Sequence, residues 1–267
     1  MNVVITGSSS GIGKFLADSL AAKGHAVCRL ARSPQDGFGF QCDVADWPAL
    51  RNCAQGVARK WKTVDGLICC AAIQEPIGPA MDIDPAAWRS TLAANLDGTF
   101  FTIRAFYSLL RKAGRRAKII CFSGGGATSP RPNFAAYGVS KAGVVRMVET
   151  LATEWQGQPL DINAVAPGAI FTRMTGQVLA RGAAGAGKDE FERACKQSRD
   201  DAAQLAKVLG LVEFLLSSKS DGITGKLISA VWDPWEKLHE FKQDLDSDIY
   251  TLRRIMPKDR GKMWGDK

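Results

Sequence analysis

Short apolar segments rich in β-branched residues alternate along the chain with longer segments in which apolar residues recur every three or four positions. Seven segments have the length and composition of strands: residues 2–6, 26–31, 38–44, 66–71, 117–123, 161–166 and 225–230. Strands that alternate with helices are typical of a parallel sheet covered by helices on both faces. The pattern therefore predicts a single doubly wound α/β domain over residues 1–267, with about seven strands.

Capping and turn residues divide these elements. Asp84 followed by Pro85 predicts the start of a helix, with Asp84 as the N-cap. Glycines predict four helix ends, at Gly24, Gly66, Gly114 and Gly157. Between Arg32 and Phe38 there are too few residues for the helix that a parallel connection normally carries, so we expect a bare loop there.

Composition narrows the class of protein. Hydrophobic residues make up 46% and charged residues 23% of the chain, which is ordinary for a soluble globular protein. The apolar runs have the length of strands and are too short for a bilayer span, and a strand starts at Asn2 without a leader, so we expect a cytoplasmic protein. Seven cysteines, an odd number that lies mostly in apolar runs, argue against a disulfide framework. With two histidines and no C-x-x-C sequence, a metal site is not expected.

The net charge of +8 raises the possibility of a nucleic-acid partner. The densest basic stretch runs from Arg111 to Lys118 and has no aromatic residues among the cations. It lies where a predicted helix ends, and cations are favourable at that end of a helix. We therefore expect no nucleic-acid partner and no membrane partner.

The first predicted strand runs into the sequence TGSSSGIGKFLADSL. Gly7 permits a tight turn, and Gly11 and Gly13 let the backbone approach a ligand. The helix that follows would direct free N–H groups toward a phosphate. The segment predicts a pyrophosphate site, the alternative being an ordinary turn between a strand and a helix. Its candidate binding residues are Gly7, Ser9, Ser10, Gly11, Ile12 and Gly13.

A tyrosine and a lysine lie four residues apart in the sequence AYGVSKAG, as Tyr137 and Lys141. In a helix this spacing places both side chains on one face. A cation fixed beside a phenol favours the phenolate and lowers the pKa from about 10. The pair is therefore a candidate for proton transfer, and the alternative is an ordinary half-exposed helix.

Together the two motifs resemble the short-chain dehydrogenase/reductase family, and the resemblance covers Met1 to about Ala230. Further segments match the family in the same order. They are CDVAD with Asp43 and Val44, CCAA with Ala71 and Ala72, ANLDGTF with Asn95, CFSGGGA with Ser123, and APGAIFT with Pro167, Gly168, Ile170 and Thr172. The resemblance implies a Rossmann-type fold and an NAD(P)-dependent oxidoreductase that interconverts a ketone and a secondary alcohol.

The resemblance also implies a role for each catalytic candidate. Tyr137 would be the general acid or base at the substrate oxygen, and Ser123 would donate a hydrogen bond to that oxygen. Lys141 would bind the nicotinamide ribose and lower the pKa of Tyr137. Asn95 would hold a water in a proton relay to Lys141. The remaining candidates would contact the cofactor, with Asp43 and Val44 at the adenine and residues 167–172 at the nicotinamide.

The chain departs from the family pattern at the serine. Ser123 lies fourteen residues before Tyr137, one more than expected, and Gly124 occupies the usual place. Either the loop after Ser123 carries one extra residue or the serine role is displaced. Glycines can absorb an insertion, so we expect the first, with Ser129 as the fallback.

Two further departures concern CCAA and the end of the chain. CCAA lacks an asparagine that usually braces neighbouring strands in the family, and we expect Cys69 and Cys70 to be buried packing residues rather than catalytic thiols. Residues 231–267 form an atypical tail with Trp232 and Trp235, which we expect to pack over the substrate cleft or on a neighbouring subunit.

Cofactor preference is predicted from the end of the second strand. An acidic residue at this place would bind the ribose hydroxyls of NAD and repel a 2′-phosphate. Here Ala31 occupies it and Arg32 follows, so a guanidinium is available for a phosphate. We therefore expect NADP(H) rather than NAD(H).

The substrate is expected to bind under a lid formed by residues 173–206, in which the glycine-rich residues 180–188 predict a flexible loop or lid. Arg131 and Arg173 flank the lid and favour a small carbonyl or alcohol substrate that is anionic or sugar-like. The alternative is that both arginines face solvent.

The sequence is also compatible with two other functions. The chain could be an epimerase or dehydratase of related fold that uses NAD, or a catalytically silent nucleotide sensor. The resemblance also implies a homodimer or homotetramer, with contacts through the helices that hold residues 95–110 and 137–155.

Overall fold

The computed structural model describes residues 1–33, 36–197 and 199–264. Its centre is a parallel sheet of seven strands in the order β3-β2-β1-β4-β5-β6-β7. The strands are β1 (Asn2–Thr6), β2 (Ala26–Ala31), β3 (Gly39–Gln41), β4 (Gly66–Cys69), β5 (Ala117–Phe122), β6 (Leu160–Ala166) and β7 (Leu227–Ser229). The predicted doubly wound Rossmann-type fold is confirmed.

Helices cover both faces of this sheet. They are α1 (Gly11–Ala22), α2 (Trp47–Lys60), α3 (Pro85–Leu92), α4 (Gly98–Arg111), α5 (Ala135–Glu154), α6 (Arg173–Ala186), α7 (Lys188–Lys196), α8 (Ala202–Leu216) and α9 (Lys242–Leu245). One core cluster joins Leu50 of α2, Phe106 of α4 and Val144 of α5, and the other joins Leu16 of α1 and Leu211 of α8. Helices α2, α4 and α5 therefore cover one face of the sheet, and α1 and α8 cover the other.

The predicted boundaries hold best where a cap or a tight turn fixes them. Asp84 caps α3, because its carboxylate accepts a hydrogen bond from the backbone N–H of Ala87. Gly66 does not end a helix: α2 ends at Lys60, and Gly66 is the first residue of β4. Residues 180–186, expected as a loop, continue α6 across a kink at Gly182.

The connection between β2 and β3 contains no helix among its described residues, and residues 34–35 lie outside the description. β3 nevertheless pairs parallel to β2, with Arg29 opposite Gly39. Gly39 allows this close pairing, because a side chain at this position would lie 2.5 Å from the carbonyl oxygen of Arg29. The described part of the short crossover therefore has no helix, as expected.

The tail lies mainly against α8 and β7, and its Trp232 lines the cleft as expected. Trp235 packs against Gly210 of α8, and Leu238 and Leu245 join the same core cluster. The carbonyl of Tyr250 accepts a hydrogen bond of 2.8 Å from the N–H of Leu227 in β7. The tail thereby covers the free edge of β7, where unpaired strand groups would otherwise face solvent.

The strand order reverses between β1 and β4: β2 and β3 follow on one side of β1, and β4 to β7 follow on the other. The loops after β1 and β4 both lie at the carboxyl edge of the sheet. In open α/β sheets, ligands bind in the crevice that such a reversal creates. Among the described helices, none combines the length and the apolar character needed to cross a membrane.

Candidate active site

A cavity of 1180 Å³ opens at the carboxyl edge of the sheet. Every site residue predicted from the sequence lines this cavity except Asn95, which lies buried behind it. The glycine turn and Tyr137 both line it, together with residues of α6 and α7. A single cleft thus unites the two sequence motifs.

The glycine turn after β1 is too tight for side chains. Gly7 has a φ of +69°, and a Cβ there would lie 2.8 Å from the Cα of Ala71. A Cβ on Gly13 would lie 2.3 Å from the carbonyl oxygen of Gly7. Ser10 precedes α1 without a side-chain cap, so the first N–H groups of the helix remain available to an anion. The turn therefore fits the pyrophosphate of a dinucleotide.

Thr6 braces the loop after β4, a role that sequence analysis missed. Its hydroxyl accepts hydrogen bonds from the N–H groups of Cys70, at 3.1 Å, and Ala71, at 3.2 Å. A side chain from the neighbouring strand β1 thus fixes the segment in which the expected asparagine is missing. Burial raises the pKa of Cys70 to about 12, so this thiol is neutral and serves as packing.

The end of the cavity at Arg32, where the sequence predicts the adenosine, is more exposed. Arg32 is exposed at the end of β2, and Gln41 donates a hydrogen bond of 2.9 Å to its carbonyl. The carboxylate of Asp43 accepts a hydrogen bond of 2.9 Å from the N–H of Ala45, which fixes the turn that carries Val44. Arg32, the first residue after β2, therefore has an exposed side chain that can contact a ligand in the cavity.

Tyr137 and Lys141 lie in the first two turns of α5 and are both buried, with 7% and 3% of their surface exposed. The Nζ atom of Lys141 lies 5.6 Å from the centroid of the Tyr137 ring and donates a hydrogen bond of 2.7 Å to the carbonyl of Phe122. Burial lowers the pKa of Lys141 to about 8. Burial also raises the pKa of Tyr137, contrary to the lowering expected from Lys141, and the cation that opposes this rise is Arg131.

Asn95 lies in a π-helical segment, Ala93–Asp97, between α3 and α4. Its amide exchanges two hydrogen bonds of 2.8 Å with the backbone of Ile73 and donates one of 2.9 Å to the hydroxyl of Ser140. π-Helical turns are frequent at functional sites. This one turns Asn95 inward between the loop after β4 and α5.

Gly124, rather than Ser123, faces the phenol of Tyr137. A Cβ on Gly124 would lie 2.4 Å from the Tyr137 hydroxyl oxygen. The Ser123 hydroxyl is buried and has no hydrogen-bond partner in the described part of the chain. Ser123 lines the cavity, but its hydroxyl is buried, so its catalytic role stays a prediction.

The end of the cavity around Arg131 is built from charged and amide side chains of distant segments. Arg131, of which 17% of the side chain is exposed, pairs with Glu190 of α7 at 2.9 Å and donates a hydrogen bond of 3.3 Å to Gln74. Gln74 in turn donates one of 3.1 Å to the carbonyl of Met174. Arg131 thus faces the cavity and not the solvent, whereas Arg173 is exposed at its rim. No motif pointed to Gln74 or Glu190.

A search of residues 1–33, 36–197 and 199–264 finds no group of three or more histidine, cysteine, aspartate or glutamate side chains that could hold a metal ion. The residues that converge on the cavity are instead a phenol, ammonium and guanidinium groups, and amides. These groups can transfer a proton and bind anions.

Comparison with known proteins agrees with this chemistry. A family model described as enoyl-(acyl carrier protein) reductase matches residues 7–230. The chain is 33% identical over 232 residues to the 3-oxoacyl-(acyl-carrier-protein) reductase MabA of Mycobacterium tuberculosis, and the matched region covers 85% of this chain and 90% of that relative. It is 32% identical over 185 residues to D-threitol dehydrogenase of Mycolicibacterium smegmatis, which covers 64% of this chain and 70% of the relative.

The fold is also similar to solved structures. A short-chain dehydrogenase of Escherichia coli in complex with NADPH matches with a TM-score of 0.74 and 23% identity, over 86% of this chain and 96% of that chain. At this identity the likeness shows the fold alone. The family match, the relatives and the sheet agree with one another: the chain belongs to the short-chain dehydrogenase/reductase family and is an oxidoreductase that acts on CH–OH or C=O groups.

Proposed function

We propose that the protein is an NADP(H)-dependent oxidoreductase that interconverts a ketone and a secondary alcohol, with Tyr137 as the general acid or base. The observation that carries this proposal is the placement of the Tyr137 phenol in the same cavity as the glycine turn. The cofactor supplies the hydride when it is bound, so the chain's own residues must handle the proton and the substrate oxygen.

Tyr137 gives its proton to the oxygen that becomes the alcohol, or takes it in the reverse direction. A positioned acid or base of this kind contributes about 10²- to 10⁴-fold to the rate. Lys141 lies one turn along α5 and would bind the cofactor ribose. Asn95 would hold the water of a proton relay, and its fixed position between the loop after β4 and α5 supports that role.

Residues along the whole length of the cavity complete the proposed cofactor site. Gly7, Gly11 and Gly13 would take the pyrophosphate, and Asp43 and Val44 the adenine, while Ala71 and Ala72 line the middle of the cleft. Pro167, Gly168, Ile170 and Thr172 would surround the nicotinamide.

NADP(H) is proposed over NAD(H) because of Arg32. Its guanidinium is exposed at the cavity edge, at the position after β2 where an acidic residue would select NAD. A guanidinium can bind the 2′-phosphate with two parallel hydrogen bonds.

The proposed substrate is a small sugar-like or anionic carbonyl compound or its alcohol. The resemblance to D-threitol dehydrogenase supports a polyol or sugar. The cavity wall contributes Arg131, Lys188, Arg193 and Lys196 next to Asp189 and Glu190, which favours polar and negatively charged groups. In this proposal α6 and α7 form the lid over the substrate.

We also propose a homodimer or homotetramer formed through α4 and α5. These helices leave Phe100 38% and Val139 51% exposed, which are apolar side chains available to a second copy. Light scattering of the purified protein measures the subunit number, and a monomer at micromolar concentration would contradict this part of the proposal.

The function is tested by incubating the purified protein with NADPH and a panel of ketoses, keto acids and apolar acyl ketones while NADPH absorbance is followed. We expect oxidation with a sugar-like or anionic ketone. Better turnover of an apolar acyl ketone contradicts the substrate class. NADPH binding without turnover of any carbonyl, or of the corresponding alcohols with NADP⁺, contradicts the reaction.

A further inference from the structure

The loop between β5 and α5 leaves one side of the Tyr137 phenol without a side-chain partner. Position 124 is a glycine, and a Cβ there would nearly touch the phenol oxygen, at 2.4 Å. The adjacent Ser123 hydroxyl is buried and unpaired in the described chain. A hydroxyl donor is thus absent from the place nearest to the reacting oxygen.

The same loop folds Arg131 back over its own glycines. A Cβ on Gly125 would lie 3.6 Å from Cδ of Arg131, and a Cβ on Gly126 would lie 3.4 Å from its Cβ. Pro130 and Pro132 restrict the backbone on both sides of Arg131. The glycines therefore make room for a long side chain that returns toward α5.

The returning guanidinium lies on the aromatic rings at the start of α5. Its central carbon is 3.8 Å from the centroid of Phe134 and 5.7 Å from the centroid of Tyr137. Gln74 and Glu190 hold it from two other segments, at 3.3 Å and 2.9 Å. A planar group held in this way keeps its position, and two of its five N–H donors are used by these contacts.

We propose that Arg131 is a positioning residue for Tyr137: its side chain, folded over Gly125 and Gly126, supplies the fixed positive charge beside the phenol. This inference rests on the proposed function, in which Tyr137 transfers the proton. Arg131 is thereby assigned an action on the tyrosine, in addition to any contact with substrate.

The charged groups around the phenol are consistent with this assignment. Lys141, on the same helix, directs its Nζ atom to the Phe122 carbonyl, and Cys70 is a neutral thiol. From the lid, Glu190 pairs with both Arg131 and Arg193, at 2.9 Å and 3.1 Å. Burial raises the pKa of Tyr137, and Arg131 opposes this rise. The guanidinium thus favours the phenolate while Glu190 keeps the lid attached to it.

The test reads the ionisation of Tyr137 directly and needs no substrate. The chain has three tyrosines, so the near-ultraviolet phenolate absorbance of the wild type minus that of Tyr137→Phe isolates this residue. Stopped-flow pH jumps record the absorbance before alkaline unfolding. The same difference is measured in Arg131→Gln, in Arg131→Lys, and in Arg181→Gln, which removes an exposed charge from α6 as a control.

We expect Arg131→Gln to move the Tyr137 midpoint upward by about one pH unit or more. Arg131→Lys keeps the charge and is expected to move it less, and Arg181→Gln to leave it in place. Equal midpoints in the wild type and Arg131→Gln, or an equal rise in Arg181→Gln, overturn the proposal. NADPH titration of each variant checks that the cavity is folded, and Arg131→Lys serves if Arg131→Gln does not fold.

The outcome is independent of the enzyme assay. If the wild type turns over no substrate, the proposed function fails, but the Tyr137 midpoints still decide whether Arg131 acts on the phenol. If turnover is found, the midpoint of the pH dependence of alcohol oxidation must rise in Arg131→Gln by the same amount. A loss confined to KM, with an unchanged midpoint, would show a substrate anchor instead and contradict the proposal.

Discussion

The two ends of the cavity are built from different parts of the chain. The proposed cofactor end is made by backbone: a glycine turn, the N-terminus of α1 and loop N–H groups held by the Thr6 hydroxyl. The substrate end is made by side chains that reach one another from distant segments, as when Arg131 meets Gln74 and Glu190. Backbone fit demands particular small residues at fixed spacing, whereas a side-chain network can be assembled from many sequences.

Tyr137 and Lys141 lie where the two ends meet. They come from one helix, so their spacing is visible in the sequence, yet their electrostatics depend on what the other segments bring near them. The comparison therefore separates what a motif can specify, which is placement, from what the whole fold determines, which is charge and burial.

The largest effect is expected from Tyr137→Phe. This variant removes the proposed proton donor but keeps the ring, so we expect turnover to fall by about 1000-fold while NADPH binding is retained. Steady-state rates and a fluorescence titration measure the two quantities. Turnover within tenfold of the wild type would contradict the role of Tyr137.

A second variant tests the burial of the lysine between the two ends. The pKa of Lys141 is about 8 instead of 10.5, so below pH 8 the folded protein carries the cost of a buried charge, about 3 kcal/mol. Between these values the folded chain loses its proton first, and wild-type stability rises with pH. Without added cofactor, Lys141→Met should be about 3 kcal/mol more stable at pH 7, and this gain should shrink above pH 8.

Urea unfolding at several pH values measures that difference. Lys112→Met, at an exposed position, is the control and should show no such pH-dependent gain. A constant difference between Lys141→Met and the wild type from pH 7 to 10 would mean that Lys141 is not buried as a charged group.

The backbone nature of the cofactor end is tested by Gly13→Ala. A methyl group there would lie 2.3 Å from the Gly7 carbonyl oxygen, so the turn must shift, at a cost of about 1–3 kcal/mol in the free energy of unfolding. NADPH affinity should fall together with stability. Gly176→Ala in α6, where an added Cβ meets nothing within 4 Å, is the matched control.

Thermal melts with and without NADPH compare these two glycine variants. We expect Gly176→Ala to be as stable as the wild type or slightly more so, because alanine favours a helix. Equal melting and equal NADPH affinity in both variants would mean that the turn does not hold the cofactor.

The smallest effect is expected at Arg32, the side chain that would distinguish NADPH from NADH. Arg32→Gln should weaken NADPH binding by about tenfold, because it removes the guanidinium from the 2′-phosphate, and should leave NADH binding unchanged. Michaelis constants for both cofactors measure this. An unchanged NADPH constant would contradict the preference.

Sequence reasoning predicted the elements that local chemistry fixes. The bounds of β1 and β2, the cap at Asp84 and the placement of Tyr137 with Lys141 on one helix agree with the structure. It failed at residues 180–186, which are helical on both sides of a kink at Gly182, because alanines favour a helix. The number of glycines alone therefore gave the wrong prediction for the secondary structure of this segment.

The candidate site was predictable in outline but not in its electrostatics. The residues that the motifs identified line the cavity, except Asn95, which lies buried behind it. The motifs did not reveal that Gly124 faces the phenol, that Thr6 braces the loop after β4, or that Arg131 is held by Gln74 and Glu190. These contacts join residues far apart in the chain, and no local pattern encodes them.

The central claim is that one cavity binds NADP(H) at its backbone end and reduces a carbonyl at Tyr137. Fluorescence titration of the wild type and Tyr137→Phe with NADPH and NADH, followed by the carbonyl panel in the same samples, tests it most directly. The account predicts tighter binding of NADPH by both proteins and turnover by the wild type alone. Failure of the wild type to bind either cofactor, or equal turnover by the two proteins, would contradict it.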